Sequence, residues 1–123
     1  MPKAINLEKC FGMFEDTFSP KIVGELNGQL VMVVKCQGDK VPWHTHDNED
    51  EMFLVMDGEL EVQEKGGSVA LQKGEMYIVK RGTEHRVVPK GLVKLMLFEP
   101  AGIEHTGKVK SEITKKSFER LEM

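Results

Sequence analysis

The stretch GDKVPWHTHDNEDEMFLVMDG, residues 38–58, decides how the chain is read. It runs from Gly38 through His44 and His46 to Glu51 and closes on Gly58. In an extended strand residues i and i+2 share a face, so His44 and His46 project side by side. Asp47 to Asp50 supply turn-forming residues, and Glu51 opens a return strand opposite the two histidines. Phe53 and Val55 share the face of Glu51 and both are apolar, which puts the ligand face on the inside of a barrel. A second stretch, GEMYIVKRGTEH at residues 74–85, brings His85 from a different hairpin. Only four histidines occur in 123 residues, so three of them in one register beside a glutamate are not an accident of composition.

Outward from this stretch the punctuation is that of antiparallel strands. Ile22 to Leu26 and Gln29 to Gln37 flank Asn27-Gly28, a favoured two-residue hairpin turn. Met52 to Met56 runs into Asp57-Gly58, the same kind of signal. Short runs follow at Leu60 to Glu64, Ser68 to Leu71, Met76 to Val79, His85 to Val88 and Leu92 to Glu99. Lys65-Gly66-Gly67, Lys73-Gly74, Arg81-Gly82 and Pro89-Lys90-Gly91 separate them. Many short strands broken by glycine turns, with no helix between them, indicate an all-β sandwich or barrel rather than a parallel sheet. Ahead of the strands Leu7, Cys10, Phe11 and Phe14 keep helical spacing, with Asn6 placed to cap a short helix and Gly12 weakening it. In the tail, Val109 to Thr114 reads as a further strand and Lys115 to Leu121 as a helical turn, or the segment frays.

The length suits one domain spanning residues 1–123, with a barrel core at about residues 21–100 and enough chain to bury a real core. Seventeen basic and twenty acidic residues are interspersed for a formal charge of −3. That balance offers no footprint for nucleic acid, whose binding rests on neutralising many phosphates. The longest apolar runs, such as Leu30 to Val34, and shorter ones, such as Leu95 to Phe98, are strand-sized and far short of the roughly 20 residues of a bilayer span. No charged region followed by an apolar one marks the start for export, so a soluble cytoplasmic protein is expected. Cys10 and Cys36 fall in different elements and form no CxxC pair, so reduced thiols packed in the core are expected.

Three imidazoles and one carboxylate suit a borderline divalent transition metal such as Fe, Mn, Ni, Cu or Zn. Calcium and magnesium favour all-oxygen shells and fit poorly. Trp43, Phe53, Met32, Met96 and Phe98 are candidates for lining a pocket beside such an ion, although ordinary core or interface is the commoner place for each. Asp47, Glu49 and Asp50 read most simply as a solvated turn, and His105 as a surface residue outside the pattern. Glu84 and Arg86 flank His85 and face away from it by strand parity.

Taken together, these residues resemble the cupins, in particular the small single-domain bacterial cupins of the mannose-6-phosphate-isomerase-like sort. The likeness spans nearly the whole chain. It covers Ser19-Pro20-Lys21-Ile22-Val23 and Glu25-Leu26-Asn27, then Trp43-His44 through Gly58, then Gly74 through His85. It continues in Glu99-Pro100-Ala101-Gly102 and Thr106-Gly107. The first motif matches at every defining position. In the second, Lys80 stands where proline is usual and Pro89 where asparagine is usual, and neither is a ligand position. His105 stands where close relatives usually carry asparagine. The resemblance implies a jelly-roll β-barrel with the metal inside and pairing into homodimers.

Four protein ligands on an octahedral ion leave two neighbouring positions for a small oxygenated molecule. That points to a metal-dependent oxygenase, isomerase or lyase acting on a small polar metabolite. The alternative is a non-catalytic module that binds or stores a small molecule on the same metal. No general acid or base is assignable from these residues. A phosphosugar isomerase proper is disfavoured, because no compact basic cluster lies near the motifs. Leu30 to Val34 and Met52 to Met56 are apolar on both strand faces, so their outer faces need a cover, for which a partner subunit is the expected source.

Overall fold

A computed structural model describes residues 2–101 and 118–123. The chain begins with α1 (Leu7–Phe11), followed by β1 (Lys21–Leu26), β2 (Gln29–Cys36), β3 (Glu51–Glu64), β4 (Gly67–Gln72), β5 (Met76–Val79), β6 (His85–Pro100) and β7 (Glu119–Arg120). The strands order as β4-β3-β6-β2-β1-β7, with β5 also paired to β3. All described pairings are antiparallel except that of β7 with β1. This is an all-β jelly-roll barrel: the strand punctuation predicts a sandwich or barrel, and the family resemblance implies the jelly roll. None of its helices among the described residues is long and apolar enough to cross a membrane.

The hairpin at Asn27-Gly28 forms as expected. Asn27 (φ 51°) and Gly28 (φ 76°) are both left-handed, which matches the twist of the flanking strands. Two expected breaks are not breaks. Asp57-Gly58 lies inside β3, and Pro89-Lys90-Gly91 lies inside β6. The two long strands stay paired from Met52↔Phe98 to Glu64↔His85, and the register shifts between Val55 and Glu59. Extra residues at these bulges bend both strands at the same level, so one continuous ribbon folds over and forms both halves of the barrel.

Alternate residues of these strands point inward. Phe53, Val55, Leu60 and Val62 of β3 meet Val87, Val93, Leu95 and Leu97 of β6 and Met32 and Val34 of β2 in one core. A smaller cluster sits on the opposite face of the sheet, where Cys10 and Phe11 of α1 bury Val23 and Val33. Asn6 caps α1 by accepting the Lys9 N–H at 3.0 Å, and Gly12 ends the helix after five residues. Part of the outer face expected to need a partner is therefore covered by the chain's own N-terminal segment. Both cysteines are free and buried. Burial pushes the Cys36 thiol up to about 12, which keeps it neutral.

Lys21 anchors the C-terminal end. Its ammonium, 3% exposed as a residue, contacts Asp16 at 2.9 Å and Glu119 at 2.8 Å. The part of the expected helical turn that falls among described residues is instead extended: Glu119 and Arg120 pair with Lys21 and Ile22. The tail strand expected at Val109 to Thr114 and the surface position of His105 lie outside the described residues.

Candidate metal centre

His44 and His46 do not sit in a regular strand. His44 makes a single antiparallel bridge to His85, with both backbone hydrogen bonds at 2.9 Å. Two residues on, the carbonyl of His46 accepts the Gly82 N–H at 2.8 Å. The segment is thus extended and stitched to the turn that precedes β6, which preserves the shared face expected of i and i+2. Asp50 strengthens the junction by accepting the Arg81 N–H at 2.9 Å. Glu51 opens β3 opposite Val79, and Glu51, Phe53 and Val55 all face inward as expected. Glu84 is exposed and Arg86 half-buried, while His85 between them is fully buried.

The four side chains converge. Ligand atoms of His44, His46, Glu51 and His85 lie within 4.8 Å of one another, and all four residues are buried. The imidazole centroids are 4.4 Å apart for His44 and His85 and 5.0 Å for His44 and His46. Bonds of about 2.0–2.2 Å place two ligands of one ion at most about 4.4 Å apart, so the group closes on an ion by movements of a few tenths of an ångström.

Hydrogen bonding sets the rings for ligation. His44 Nδ1 donates to the Pro42 carbonyl at 2.8 Å and His85 Nδ1 to the Thr83 carbonyl at 2.9 Å. A ring that donates from Nδ1 turns an Nε2 lone pair into the cluster. His85 Nε2 then faces Glu51 Oε1 at 3.3 Å, and two acceptors face each other unless a proton or a metal lies between them. Neither ring nitrogen of His46 has a hydrogen-bond partner, although Glu49 and Glu51 carboxylate oxygens stand 3.5 Å away. Buried polar atoms without a partner are uncommon, and a cation on the inner nitrogen satisfies His46 as hydrogen bonds do not. The donor set and these orphaned atoms fit a transition metal.

The electrostatics agree. Burial, aided by the neighbouring His85 and His46, pushes His44 down to about 4, so this ring is neutral and ready to ligate at neutral pH. Burial also pulls on His46, but contact with Glu51 and then Glu49 outweighs it and raises its pKa. Burial works against an ionised Glu51, yet the His46 and His85 imidazoles beside it hold its carboxyl far below the usual range. The cluster therefore calls for positive charge, supplied by a proton when no ion is bound.

Glu99 is a member of this neighbourhood that motif reasoning missed. It lies on β6 opposite Leu30, is 3% exposed and hydrogen-bonds to Glu51. Burial first, and then the Glu51 charge, raise it well above the ordinary carboxylate range, so Glu99 carries the proton and Glu51 accepts it. Glu99→Gln keeps that donor and is expected to leave metal affinity within a few-fold of the parent. Glu99→Leu removes it and is expected to cost roughly 10–100-fold, the usual range for a residue that orients a ligand. Competition against a chromogenic chelator measures both.

A cavity of ≈ 40 Å³ lies against the cluster, with His44 and Glu51 in its lining. Of the five expected lining residues only Phe53 reaches it. Met32 is fully buried in the inner core but does not line the cavity. Met96 and Phe98 sit opposite Leu54 and Met52 on the outer face, because β6 turns its odd-numbered residues inward. Trp43 also points away, its ring stacked under Lys65 Nζ at 4.2 Å and the Arg86 guanidinium at 5.3 Å. The places of these residues go instead to Phe18, Val34, Cys36, Val41, Val87, Leu95 and Leu97. Phe18 carried no sequence signal. It is left-handed (φ 55°), held by its N–H to the Lys35 carbonyl at 2.7 Å and by burial of its ring.

Fold and site together define a jelly-roll barrel with a potential metal site of three histidines and one glutamate. The chain belongs to the cupin family, whose cupin domain profile matches residues 30–99. It is similar to YdbB of Bacillus subtilis strain 168, an uncharacterized protein, with 32% identity over 87 residues, 70% of this chain and 76% of that one. Among solved structures it resembles a cupin-2 domain containing protein from Shewanella frigidimarina NCIMB 400, with 36% identity and a TM-score of 0.75 over 78% of this chain and 93% of that one. It also resembles protein NMB1881 from Neisseria meningitidis, with 28% identity and a TM-score of 0.71 over 80% of this chain and all of the other.

Proposed function

We propose that the chain holds one divalent transition metal, drawn from Fe, Mn, Zn, Ni and Cu, on His44, His46, Glu51 and His85. On this reading it is an enzyme of the oxygenase, isomerase or lyase kind acting on a small oxygen-bearing metabolite. The observation that carries it is the inward lone-pair geometry of buried rings whose outer nitrogens are tied to backbone carbonyls, set beside a cavity. A bound ion supplies Lewis acidity, and for iron or manganese also redox chemistry. The chain's own part is to fix the rings through Pro42 and Thr83, to keep Glu51 ionised, and to exclude water with the apolar wall around Phe53. Among the described residues no lysine or arginine lines the cavity, which argues against a phosphosugar.

Protein purified without chelator or nickel resin is expected to contain about one equivalent of a single transition metal. Incubation of that protein with a panel of hydroxy acids, oxo acids and phenols is expected to consume at least one member. Absence of metal uptake overturns the reading. A second reading, a binding or storage module, is favoured by one observation. Among the described residues, the one titratable group on the cavity wall apart from the proposed ligands is the neutral thiol of Cys36. Its mark is saturable binding with recovery of an unchanged ligand.

The reading includes a homodimer. In register across β5, β3 and β6 run Ile78, Met52 and Phe98, and beside them Met76, Leu54 and Met96. Ile78 is 39% and Met76 48% exposed, so this strip is an apolar face that a second copy can cover about a two-fold axis. Light scattering is expected to give twice the chain mass for the parent and the chain mass for Leu54→Glu. The unbridged buried cysteines fit a reducing compartment, and we place the protein in the cytoplasm.

A further inference from the structure

The cavity wall is chemically uniform. Val34 and Cys36 come from β2, Phe53 from β3, Leu95 and Leu97 from β6, and Val41 from the segment leading to His44. Among the described residues no Lys, Arg, Ser, Thr, Asn or Gln lies on it, so within that set His44 and Glu51 alone bring nitrogen- or oxygen-bearing side chains to the lining. A hydroxyl or second carboxylate placed against this wall leaves water without finding a partner, which is unfavourable for a neutral group and far more so for a charge. An alkyl group in the same place gains by leaving water.

Size and charge narrow the ligand further. A water needs about 10–15 Å³ of such a cavity, so its ≈ 40 Å³ takes about three waters, the bulk of roughly four carbon atoms. A divalent ion on three neutral imidazoles and one carboxylate leaves a single net positive charge in a buried site. A monoanion neutralises it, and a dianion overshoots.

Resting on the metal reading above, we propose that the site takes a small monoanion whose polar atoms are confined to one chelating head, a 2-hydroxy or 2-oxo carboxylate. The remainder is a short hydrocarbon lying against Val34, Val41, Phe53, Leu95 and Leu97. Polyols, dicarboxylates and phosphosugars are excluded. The metabolite's polarity thus resides in its head alone.

Two acids separate head from tail. 2-Hydroxy-4-methylpentanoate and malate share the 2-hydroxycarboxylate head, and differ only in an isopropyl group against a carboxylate of similar shape. Each is titrated into protein loaded with one equivalent of cobalt(II), following the visible spectrum, and by calorimetry with zinc-loaded protein. The branched acid is expected to bind at least about tenfold tighter, the discrimination that one unpaired buried charge imposes at minimum. Equal affinity, preference for malate, or failure of both to bind protein that retains its metal overturns the inference alone. Failure of the protein to take up either metal overturns the metal reading itself, and elemental analysis of the desalted protein tells the two apart.

Val41→Lys places an ammonium on the wall from a segment outside the regular strands, where the long stem can reach solvent. It is expected to swing the ratio toward malate by about tenfold. Val34→Thr, of nearly unchanged volume, tests the same wall with a single hydroxyl and is expected to weaken the branched acid by a few-fold. A ratio that neither substitution moves places the ligand elsewhere and ends the proposal.

Discussion

Replacing His85 with alanine is expected to lower affinity for a divalent transition metal by about a hundredfold or more while the barrel still folds. Sites with four protein ligands gather on the order of 10–16 kcal/mol of apparent binding energy, or roughly 3 kcal/mol for each ligand, and every 1.4 kcal/mol is tenfold. The backbone of His85 is held independently of its ring. It exchanges two hydrogen bonds of 2.9 Å with His44 and is paired with Glu64. Loss of the ring also removes the facing of Nε2 and Glu51 Oε1 at 3.3 Å, which offsets part of the cost of the void it leaves. The metal-free variant is therefore expected to melt within a few degrees of the metal-free parent. The contrast appears on loading. A hundredfold excess of ion over its dissociation constant stabilises the parent by about 2.7 kcal/mol, roughly 10 °C in a domain of this size, and the variant loses most of that gain. Paired melting curves with and without metal, together with chelator competition, give the answer. An unchanged metal-induced shift removes His85 from the site.

Protons compete with the ion for the same cluster. His46 has a raised pKa, so in the folded, metal-free protein it holds its proton to higher pH than an unperturbed imidazole. Metal loading must release that proton. Apparent affinity accordingly rises with pH through the pKa of His46, and falls on acidification. His44, already neutral at that pH because burial pushes it down to about 4, adds nothing to this dependence until acid conditions.

The four candidate ligands were legible because their geometry follows from local rules. Side chains at i and i+2 on an extended backbone share a face even where, as at His44 and His46, the segment is held by an isolated bridge and the Gly82 N–H rather than by a regular ladder. The inward direction was readable from Phe53 and Val55 behind Glu51. The same parity, carried along β6 from Leu95 and Leu97, reaches Glu99 and sends Met96 and Phe98 outward. Side-chain type made those two candidates for the pocket as well as for core or interface, and type does not choose a face. Phe18 was beyond reach for a different reason. A left-handed phenylalanine before β1 is a product of tertiary packing, with its N–H taken by Lys35, and no local preference announces it. The covering of Val33 by Cys10 and Phe11 likewise depends on where α1 docks, which periodicity alone does not give.

Gly58 shows the limit of turn chemistry most sharply, and its replacement by alanine carries the second large expected effect. Asp57-Gly58 has the composition of a hairpin turn because glycine supplies a positive φ, here +91°. The chain spends that freedom on a bulge inside β3, where the ribbon bends and the backbone of β6 closes against it. A Cβ on Gly58 meets the Leu92 carbonyl oxygen at 2.7 Å and the Val93 Cα at 3.2 Å. Both are backbone atoms of the partner strand, so no side chain can swing aside. Gly58→Ala therefore combines left-handed strain of about 1–2 kcal/mol with a forced separation of β3 from β6. A total loss of about 3 kcal/mol or more is expected, a large share of the 5–15 kcal/mol typical of a domain. Gly74→Ala separates the two causes. Gly74 has nearly the same φ, +86°, and nothing within 4 Å of the added carbon, so strain alone acts there. Chemical denaturation of the two variants is expected to place Gly58→Ala at least about 1.5 kcal/mol below Gly74→Ala, the excess measuring the close approach. Because Glu51 and His85 lie on these two strands, the residual folded Gly58→Ala protein is also expected to bind metal more weakly, with Gly74→Ala unchanged. Equal stability of the two variants shows that β6 does not close on the bulge, and leaves the bend of the barrel without its cause.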